Sequence, residues 1–438
     1  MHLFSTKSPF CCIMHLMSEL QNTQEDPVRA FLVGKDDGTY PISELHGLVK
    51  TLGMTINGSI LLSRYIPTPQ FGIGTGKTHE IIALAKEAEA ECIILDFEIS
   101  PTQQRNWEKE ANFPVFDRNE VIIRIFAQRA QTKEAVLQVQ LAQLQYAMPR
   151  LAHSYGDMAR QRGGSYGSKG SGETQLEIDR RDIKDQIAQI KDELKKVLKE
   201  RETMRKRREK IPLPSCALIG YTNAGKSSLL NSLTGSGVFV EDKLFATLDP
   251  TTRRLSLSGS TSILLTDTVG FIRNLPHTLI DAFKSTLEEA VRADLLLIVL
   301  DASDTDVFGQ YETVCSVLEE IGADKNKRLL ILNKTDKEEC ERNFSLSRIR
   351  ETEINALEVS AKNGAGFESL IDAIADSLFG TIKDYSLKLN DAELLNEIRK
   401  NGILVSSEWT EDAIKIKARM SEALETKLFS PPSKPLLP

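Results

Sequence analysis

Cysteine is sparse in this chain: six in 438 residues, far apart except for the adjacent Cys11 and Cys12, with no CxxC and no Cys/His cluster. That pattern excludes a disulfide-stapled secreted module and offers no zinc site, so reduced thiols in a cytosolic setting are expected. Long apolar runs are missing too. The longest, Leu295 to Leu300, is far short of a membrane span, which predicts no membrane insertion. Residues 1–20 hold one lysine and a short Cys-Cys-Ile-Met patch without a small-residue cleavage site, and read as an extension rather than a signal peptide. Nor is there a global excess of positive charge. The net charge is −7, so any footprint for nucleic acid has to be local.

What is present is ordinary in bulk, at 41% hydrophobic and 27% charged residues, and the length allows roughly two to four domains. The informative stretch is Gly220-Tyr221-Thr222-Asn223-Ala224-Gly225-Lys226-Ser227, between the apolar run Cys216–Ile219 and the periodic segment Ser228–Leu233. Strand, glycine loop and helix are the setting that makes G-x-x-x-x-G-K-[ST] a P-loop. Gly220 and Gly225 let successive N–H groups turn inward on phosphate oxygens at a helix N-terminus. Lys226 supplies a point charge to the β- and γ-phosphates, and the Ser227 hydroxyl is placed for Mg²⁺.

Downstream motifs follow in order. Thr247, in Leu244-Phe245-Ala246-Thr247-Leu248-Asp249-Pro250-Thr251-Thr252, suits a switch that wraps Mg²⁺ and the γ-phosphate, with Thr251 and Thr252 as competitors. Asp267-Thr268-Val269-Gly270 ends an apolar strand, which places Asp267 for Mg²⁺ through water and the Gly270 N–H for the γ-phosphate. Asn333-Lys334-Thr335-Asp336 follows another buried strand. A carboxylate there accepts from the N1–H and N2 amino group of guanine, which adenine cannot offer. Ser360-Ala361-Lys362 follows the short strand Leu357–Val359 and turns its N–H groups toward the guanine O6. The set predicts GTP and GDP as ligands. Position 271, where many GTPases carry a water-orienting glutamine, is Phe271, so hydrolysis needs another group, a bound ion or a partner. Asn223 resembles the ion-ligating P-loop asparagine of some potassium-activated GTPases; that resemblance implies K⁺ between the α- and γ-phosphates and Asn223, Lys226 and Gly270 as the catalytic set, while bracing of the loop by hydrogen bonds to backbone is the alternative role for Asn223.

The coarse pattern predicts strands at Arg29–Val33, Ile60–Leu62, Cys92–Leu95 and Val121–Ile123, with helices at Ile42–Leu52 and Glu80–Glu89. Phe71-Gly72-Ile73-Gly74-Thr75-Gly76-Lys77-Thr78 ends in Gly-Lys-Thr but has Phe71 for the first P-loop glycine, and reads as a loop. Leu137, Leu141, Leu144, Met148 and Leu151 step by four and three, as do Ile183, Ile187, Ile190, Leu194 and Val197. Two such seams around a glycine-rich connector, Arg162 to Glu173, predict an antiparallel helical hairpin. Its second helix ends in a basic run, with nine Lys/Arg against three glutamates from Lys195 to Lys210, the footprint of an RNA backbone. Ile211-Pro212-Leu213-Pro214 then stops the helix.

After the P-loop, strands are expected at Arg253–Leu257, Ser262–Thr266, Asp294–Leu300 and Arg328–Leu332. Helices are expected at Leu279–Arg292, Tyr311–Ile321 and Phe367–Leu378. An appendix adds a helix at Asp391–Arg399 and strands at Gly402–Ser406 and Ala413–Lys417. The expected fold is therefore α/β: an extension (1–28), an N-terminal α/β domain (29–130), the hairpin (131–211), a P-loop domain with a doubly wound sheet (212–380), a small α+β domain (381–429) and a tail (430–438).

Several strings together resemble the HflX family of ribosome-associated GTPases, within the Obg–HflX group. They are Ser100-Pro101-Thr102-Gln103-Gln104-Arg105-Asn106, Ile125-Phe126-Ala127-Gln128-Arg129-Ala130, Gly172-Glu173-Thr174-Gln175-Leu176-Glu177 with Asp179-Arg180-Arg181, and Gly220 to Ser227. The resemblance implies GTP hydrolysis stimulated by the large ribosomal subunit, splitting or rescue of stalled or idle ribosomes, and contact of the N-terminal domain with rRNA. It also implies Ser227 and Thr247 as Mg²⁺ ligands, a monomer in solution, and a cytoplasmic location that is peripheral at a membrane only through ribosomes. Ser165, Lys169 and Ser171 stand in the hairpin tip where the family pattern would have Gly, Arg and Pro, and no complete P-loop supports ATP use by the N-terminal domain. A second reading stays open at this stage: a GTP-regulated signalling module whose paired helices dock a protein. The basic run favours the first.

Overall fold

Cys92-Ile93-Ile94-Leu95 is apolar at every position, as a strand covered on both faces must be, and it lies inside a parallel sheet. The structure, a computed structural model, describes residues 27–36, 42–161, 171–208, 213–235, 244–257, 261–273, 287–353, 355–389 and 391–429. Residues 1–26 of the expected extension, the tail, residues 162–170 of the glycine-rich connector and most of the helix expected at Leu279–Arg292 lie outside those residues. The chain divides into two compact units, Met1–Val197 and Leu198–Pro438.

In the first unit, β1 (Arg29–Lys35), α1 (Ser43–Thr51), β2 (Thr55–Leu62), α2 (Thr75–Glu87), β3 (Cys92–Leu95), α3 (Pro101–Ala111), β4 (Val115–Asp117) and α4 (Arg118–Arg129) alternate. The four strands are parallel in the order β2-β1-β3-β4. A capping box starts α3: Ser100 Oγ accepts from Gln103 N–H (3.3 Å), Gln103 Oε1 accepts from Ser100 N–H (2.8 Å), and Pro101 follows at the first helical position.

Two expectations fail here for physical reasons. Val121–Ile123 is not a strand but part of α4. Asp117 caps that helix by accepting from Glu120 N–H (2.9 Å), and Val121, Ile122, Ile123, Ile125 and Phe126 are all buried. Burial on most sides erases the helical period and leaves a β-branched run that mimics a strand. The Phe71–Thr78 segment is a turn only as far as Gly74; Thr75 to Thr78 form the first turn of α2. Phe71 is buried, and its carbonyl accepts from Trp107 Nε1 (2.7 Å), while Lys77 pairs with Glu80 at 2.8 Å.

The two long seams form α5 (Lys133–Gln161) and α6 (Ser171–Arg208). Along α6, Ile183, Ile187, Ile190 and Leu194 are each less exposed than their neighbours, and Val197 and Leu198 are both half-buried, the stripe that the spacing predicts.

In the second unit, β5 (Ser215–Gly220), α7 (Lys226–Thr234), β6 (Thr251–Ser256), β7 (Ser262–Asp267), β8 (Leu295–Asp301), α8 (Val307–Glu320), β9 (Arg328–Asn333), α9 (Phe344–Thr352), β10 (Leu357–Glu358) and α10 (Phe367–Phe379) build a six-stranded sheet, β10-β9-β8-β5-β7-β6. All pairs are parallel except β6 with β7. One apolar cluster, with Ile298, Val314 and Ile349, fills one face; a second, with Leu229, Val299 and Ile374, fills the other.

A three-stranded antiparallel sheet closes the described chain, β11 (Ile382–Leu387), β13 (Ile414–Arg419) and β12 (Ile403–Trp409), with α11 (Ala392–Asn401) and α12 (Glu422–Phe429). It is not a free appendix. Ile403 belongs to the second cluster of the six-stranded unit, Thr261 Oγ1 donates to the Gly402 carbonyl (3.0 Å), and the buried Arg419 pairs with Asp372 (3.2 Å) and Asp376 (3.3 Å) of α10.

Candidate active site

In open α/β sheets a ligand site forms outside the carboxyl ends of the strands. Here β5, β7 and β9 all deliver motif residues to that edge. Gly225 enters α7 with φ +91°, a conformation that L side chains rarely adopt. A Cβ there would also fall on the amide Nδ2 of Asn333. That amide spans two loops: Nδ2 donates to the Ala224 carbonyl (2.9 Å), and Oδ1 accepts from Ala361 N–H (3.0 Å). Lys334 adds a second tie, its Nζ donating to the Asn223 carbonyl (2.7 Å) and pairing with Asp301 (2.7 Å). Asn223 and Lys334 both hold positive φ, 60° and 65°, the backbone strain that gathers at functional loops.

Lys226 is buried, and its ammonium donates to the carbonyls of Gly220 (3.2 Å) and Tyr221 (2.8 Å). Burial pulls its pKa down to about 8, against the opposing pull of Asp267. Below it three hard oxygens converge. Ser227 Oγ lies 2.7 Å from Thr247 Oγ1 and donates to Asp267 Oδ2 (2.6 Å), to which Thr247 Oγ1 also donates (3.1 Å). Burial pushes the Asp267 carboxyl up, while Lys226 and the two hydroxyls pull it back. Its Oδ1 and the Thr222 hydroxyl are buried without a partner. Hydroxyls, one carboxylate and an unsatisfied oxygen suit Mg²⁺, which takes oxygen ligands and keeps positions for phosphate and water. Thr247, not its competitors, is the threonine that reaches this point; Thr252 instead bonds across the ladder to Thr266 (3.0 Å).

A cleft opens between Thr222, Asn223 and Gly225–Ser228 on one side and Phe245, Ala246, Thr247, Thr268 and Gly270 on the other. Tyr221, Ala224, Leu248 and Val269 are buried, so what they can offer a ligand is backbone. Phe271 is also buried. Its N–H donates to the Gly220 carbonyl (3.0 Å) and its carbonyl accepts from Thr222 N–H (2.8 Å), which pins the end of the Asp267–Gly270 loop to the P-loop. A side chain held in the core cannot orient a water.

On the far side, the Ser360 hydroxyl donates to Asp336 Oδ1 (2.7 Å) and holds that carboxyl below its ordinary range, ionised and ready to accept. Thr335 Oγ1 donates to the Val359 carbonyl (3.0 Å) and braces the loop. Of the three N–H groups expected for a base carbonyl, those of Ser360 and Ala361 are bonded internally at 3.0 Å, and that of Lys362 makes a longer bond, 3.3 Å, to Ser360 Oγ. Asp249 stands at the start of the run into β6, and the cleft's lining does not include it.

Family models match most of the chain: "GTP-binding GTPase N-terminal" over residues 39–127, "GTP-binding GTPase Middle Region" over 129–208, and "50S ribosome-binding GTPase" over 215–334. The chain is 42% identical over 400 residues to the GTPase HflX of Akkermansia muciniphila, covering 89% of this chain and 92% of that one. It is 41% identical over 391 residues to the GTPase HflX of Escherichia coli K12, with 88% and 91% covered. The chain belongs to the HflX family of GTPases.

Among solved structures, this HflX-family chain is similar to a GTP-binding protein of Sulfolobus solfataricus in complex with GDP, at 25% identity and a TM-score of 0.44, with 80% of this chain and 98% of that one covered. In the HflX chain the P-loop, Phe245–Thr247 and the Thr268–Gly270 end of the next motif line one cleft, and Asn333 and Lys334 tie the remaining motifs to the P-loop; Asp301, which pairs with Lys334, and the Arg273–Asp306 pair belong to no motif. A carboxylate at the end of the all-apolar β8 was the available signal for Asp301.

Proposed function

We propose that this HflX-family GTPase binds GTP with Mg²⁺ in the cleft described above and spends the hydrolysis cycle on the large ribosomal subunit. The observation that carries the nucleotide assignment is the meeting of Ser227, Thr247 and Asp267 oxygens beneath Lys226, with the ionised Asp336 on the far side. When bound, Mg²⁺ would neutralise phosphate charge; Ser227 and Thr247 would hold it directly and Asp267 through water. The loop N–H groups and Lys226 bind phosphate, the Gly270 N–H meets the γ-phosphate, and Asp336 selects guanine.

Two features support the ribosome as partner: the basic end of α6, and the description of the family model over the P-loop region as a 50S ribosome-binding GTPase. In this reading the N-terminal α/β domain, the hairpin tip and the basic helix end meet rRNA, and the result is splitting or rescue of stalled or idle ribosomes. The protein acts as a cytoplasmic monomer with the domain boundaries given above. Co-sedimentation with separated ribosomal subunits, with and without a non-hydrolysable GTP analogue, tests it. GTP-dependent recovery with the large subunit is expected, and recovery with neither subunit would return the paired helices to the protein-docking reading.

Because Phe271 cannot orient water, catalytic help has to come from elsewhere. Asn223 lines the cleft and carries a hard oxygen, which supports K⁺ as that help, doing the work of an arginine finger worth about 10³–10⁵ in rate. Single-turnover hydrolysis in matched KCl and NaCl, without ribosomes, should be faster in KCl and lose the difference in Asn223→Ala. Equal rates would leave the ribosome as the missing catalyst.

A further inference from the structure

The Asp267–Gly270 loop is held on the phosphate side by the Phe271 backbone, and on its exit side by a residue that no motif accounts for. Arg273 is buried, and its N–H donates to the hydroxyl of Tyr221, itself inside the P-loop (2.9 Å). Its guanidinium pairs with Asp306, the residue that precedes α8. Gly309, in the first turn of α8, makes room for the pair: a Cβ there would meet the guanidinium and lie 2.7 Å from Asp306 Oδ1. Asp306 is positioned in turn, its N–H donating to Asp304 Oδ1 (2.9 Å). The same β8–α8 loop follows directly on Asp301, the last residue of β8 and the partner of Lys334. One short connector thus grips the segment beyond Gly270 at one end and the base-recognition loop at the other.

We propose that Arg273 is a positioning residue for GTP hydrolysis: through Asp306 and Tyr221 it fixes the exit of the Asp267–Gly270 loop, so that the Gly270 N–H is held where the γ-phosphate arrives. The inference rests on the assignment of Gly270 to that phosphate. Arg273 is not among the residues that line the cleft; it acts through the backbone that runs from it to Gly270, three residues earlier. A planar, always-charged guanidinium paired with a carboxylate gives directional restraint that an ammonium on a flexible stem does not. GDP lacks the group that Gly270 meets, so loss of the clamp should spare GDP and slow hydrolysis.

Three full-length variants reach the same displacement by different routes: Asp306→Asn removes the charge, Gly309→Ala pushes on both partners, and Arg273→Lys keeps charge but loses the fork. Single-turnover hydrolysis at saturating GTP should fall about tenfold or more in each, since a misplacement of about 1 Å costs on the order of 100-fold, while GDP affinity stays within about twofold of wild type. Wild-type turnover in all three, with only a lowered melting temperature, would make the pair a structural brace and overturn the proposal. Gly270→Ala run alongside separates the two levels. A methyl there would lie 2.8 Å from Thr222 Cα and 3.0 Å from Lys226 Nζ, so turnover should collapse. Full activity in that variant would instead remove Gly270 from the γ-phosphate, and the proposal with it.

Discussion

If the Asn333 amide is the rod between phosphate loop and base loop, then Gly225→Ala and Asn333→Ala should not behave as independent lesions. Alanine at 225 keeps a backbone at φ +91°, which costs an L residue about 1–2 kcal/mol, and its methyl overlaps Nδ2, a further clash of about 1–3 kcal/mol. Asn333→Ala leaves the Ala224 carbonyl and the Ala361 N–H without their partners at a site where Asn333 is 1% exposed, at about 1–3 kcal/mol each. In the double variant the φ strain stays and the two bonds are lost, but the clash disappears, because the amide it struck is gone. Its cost should therefore fall short of the sum of the singles by about 1–3 kcal/mol.

A whole-chain melt would blend two units, so the assay is native-state hydrogen exchange read on peptides from β8, whose residues Leu295 to Leu300 are all buried and open only with their unit. Opening free energies for wild type, both singles and the double close the cycle. Additivity within about 0.5 kcal/mol would refute the reasoning, because sites that share no contact add within that limit.

Other outcomes follow from named groups. Asp336→Asn should weaken GTP and favour xanthine nucleotides, whose C2 carbonyl accepts from an amide; titration of both nucleotides checks it, and an unchanged preference for GTP would remove Asp336 from the base site. Burial raises Glu108 from 4.5 to about 7, against weak bonds from Val115 N–H and Gln104. The native state therefore keeps a proton that the unfolded chain releases, and stability of the first unit falls as pH rises from about 4.5 to about 7. Glu108→Gln should be neutral at pH 4 and more stable than wild type by about 1–3 kcal/mol at pH 8, read from urea unfolding by fluorescence of the buried Trp107. For the basic run, replacing Arg205, Lys206, Arg207 and Arg208 by glutamine should flatten the salt dependence of large-subunit binding, where six to ten phosphate contacts would lose about 10³–10⁵ in affinity between 50 and 200 mM salt by the duplex-DNA rule. Free-state GTP affinity should not change, and salt-insensitive binding would make the run a solvated face.

The nucleotide cleft was legible because its chemistry sits in contiguous strings at strand ends: Gly220 to Ser227, Asp267 to Gly270, Asn333 to Asp336. Sequence distance hides what joins them. Arg273 and Asp306 are separated by 33 positions that include all of β8, and only the sheet brings them together. The lost helix α4 shows a second limit, since Val121-Ile122-Ile123 is apolar on successive positions and periodicity cannot separate a buried helix from a buried strand. β11 escaped notice for the opposite reason. Ile382-Lys383-Asp384-Tyr385-Ser386-Leu387 is an edge strand buried only at its last residue, so it carries no apolar run at all. α12 was passed over too; its Phe429 stacks on Tyr385 at 5.3 Å, a contact between residues 44 apart.

Arg419 gives the closing sheet a mechanical meaning. Its guanidinium holds Asp372 and Asp376, one turn apart on α10, and α10 begins just beyond the Ser360–Lys362 loop. Gly380 and Gly402 press close enough to the Met420 and Arg419 carbonyls, 2.8 and 2.7 Å from where a methyl would sit, that the joint has no slack. The closing sheet and the helix that follows the Ser360–Lys362 loop are thus held together through one buried guanidinium.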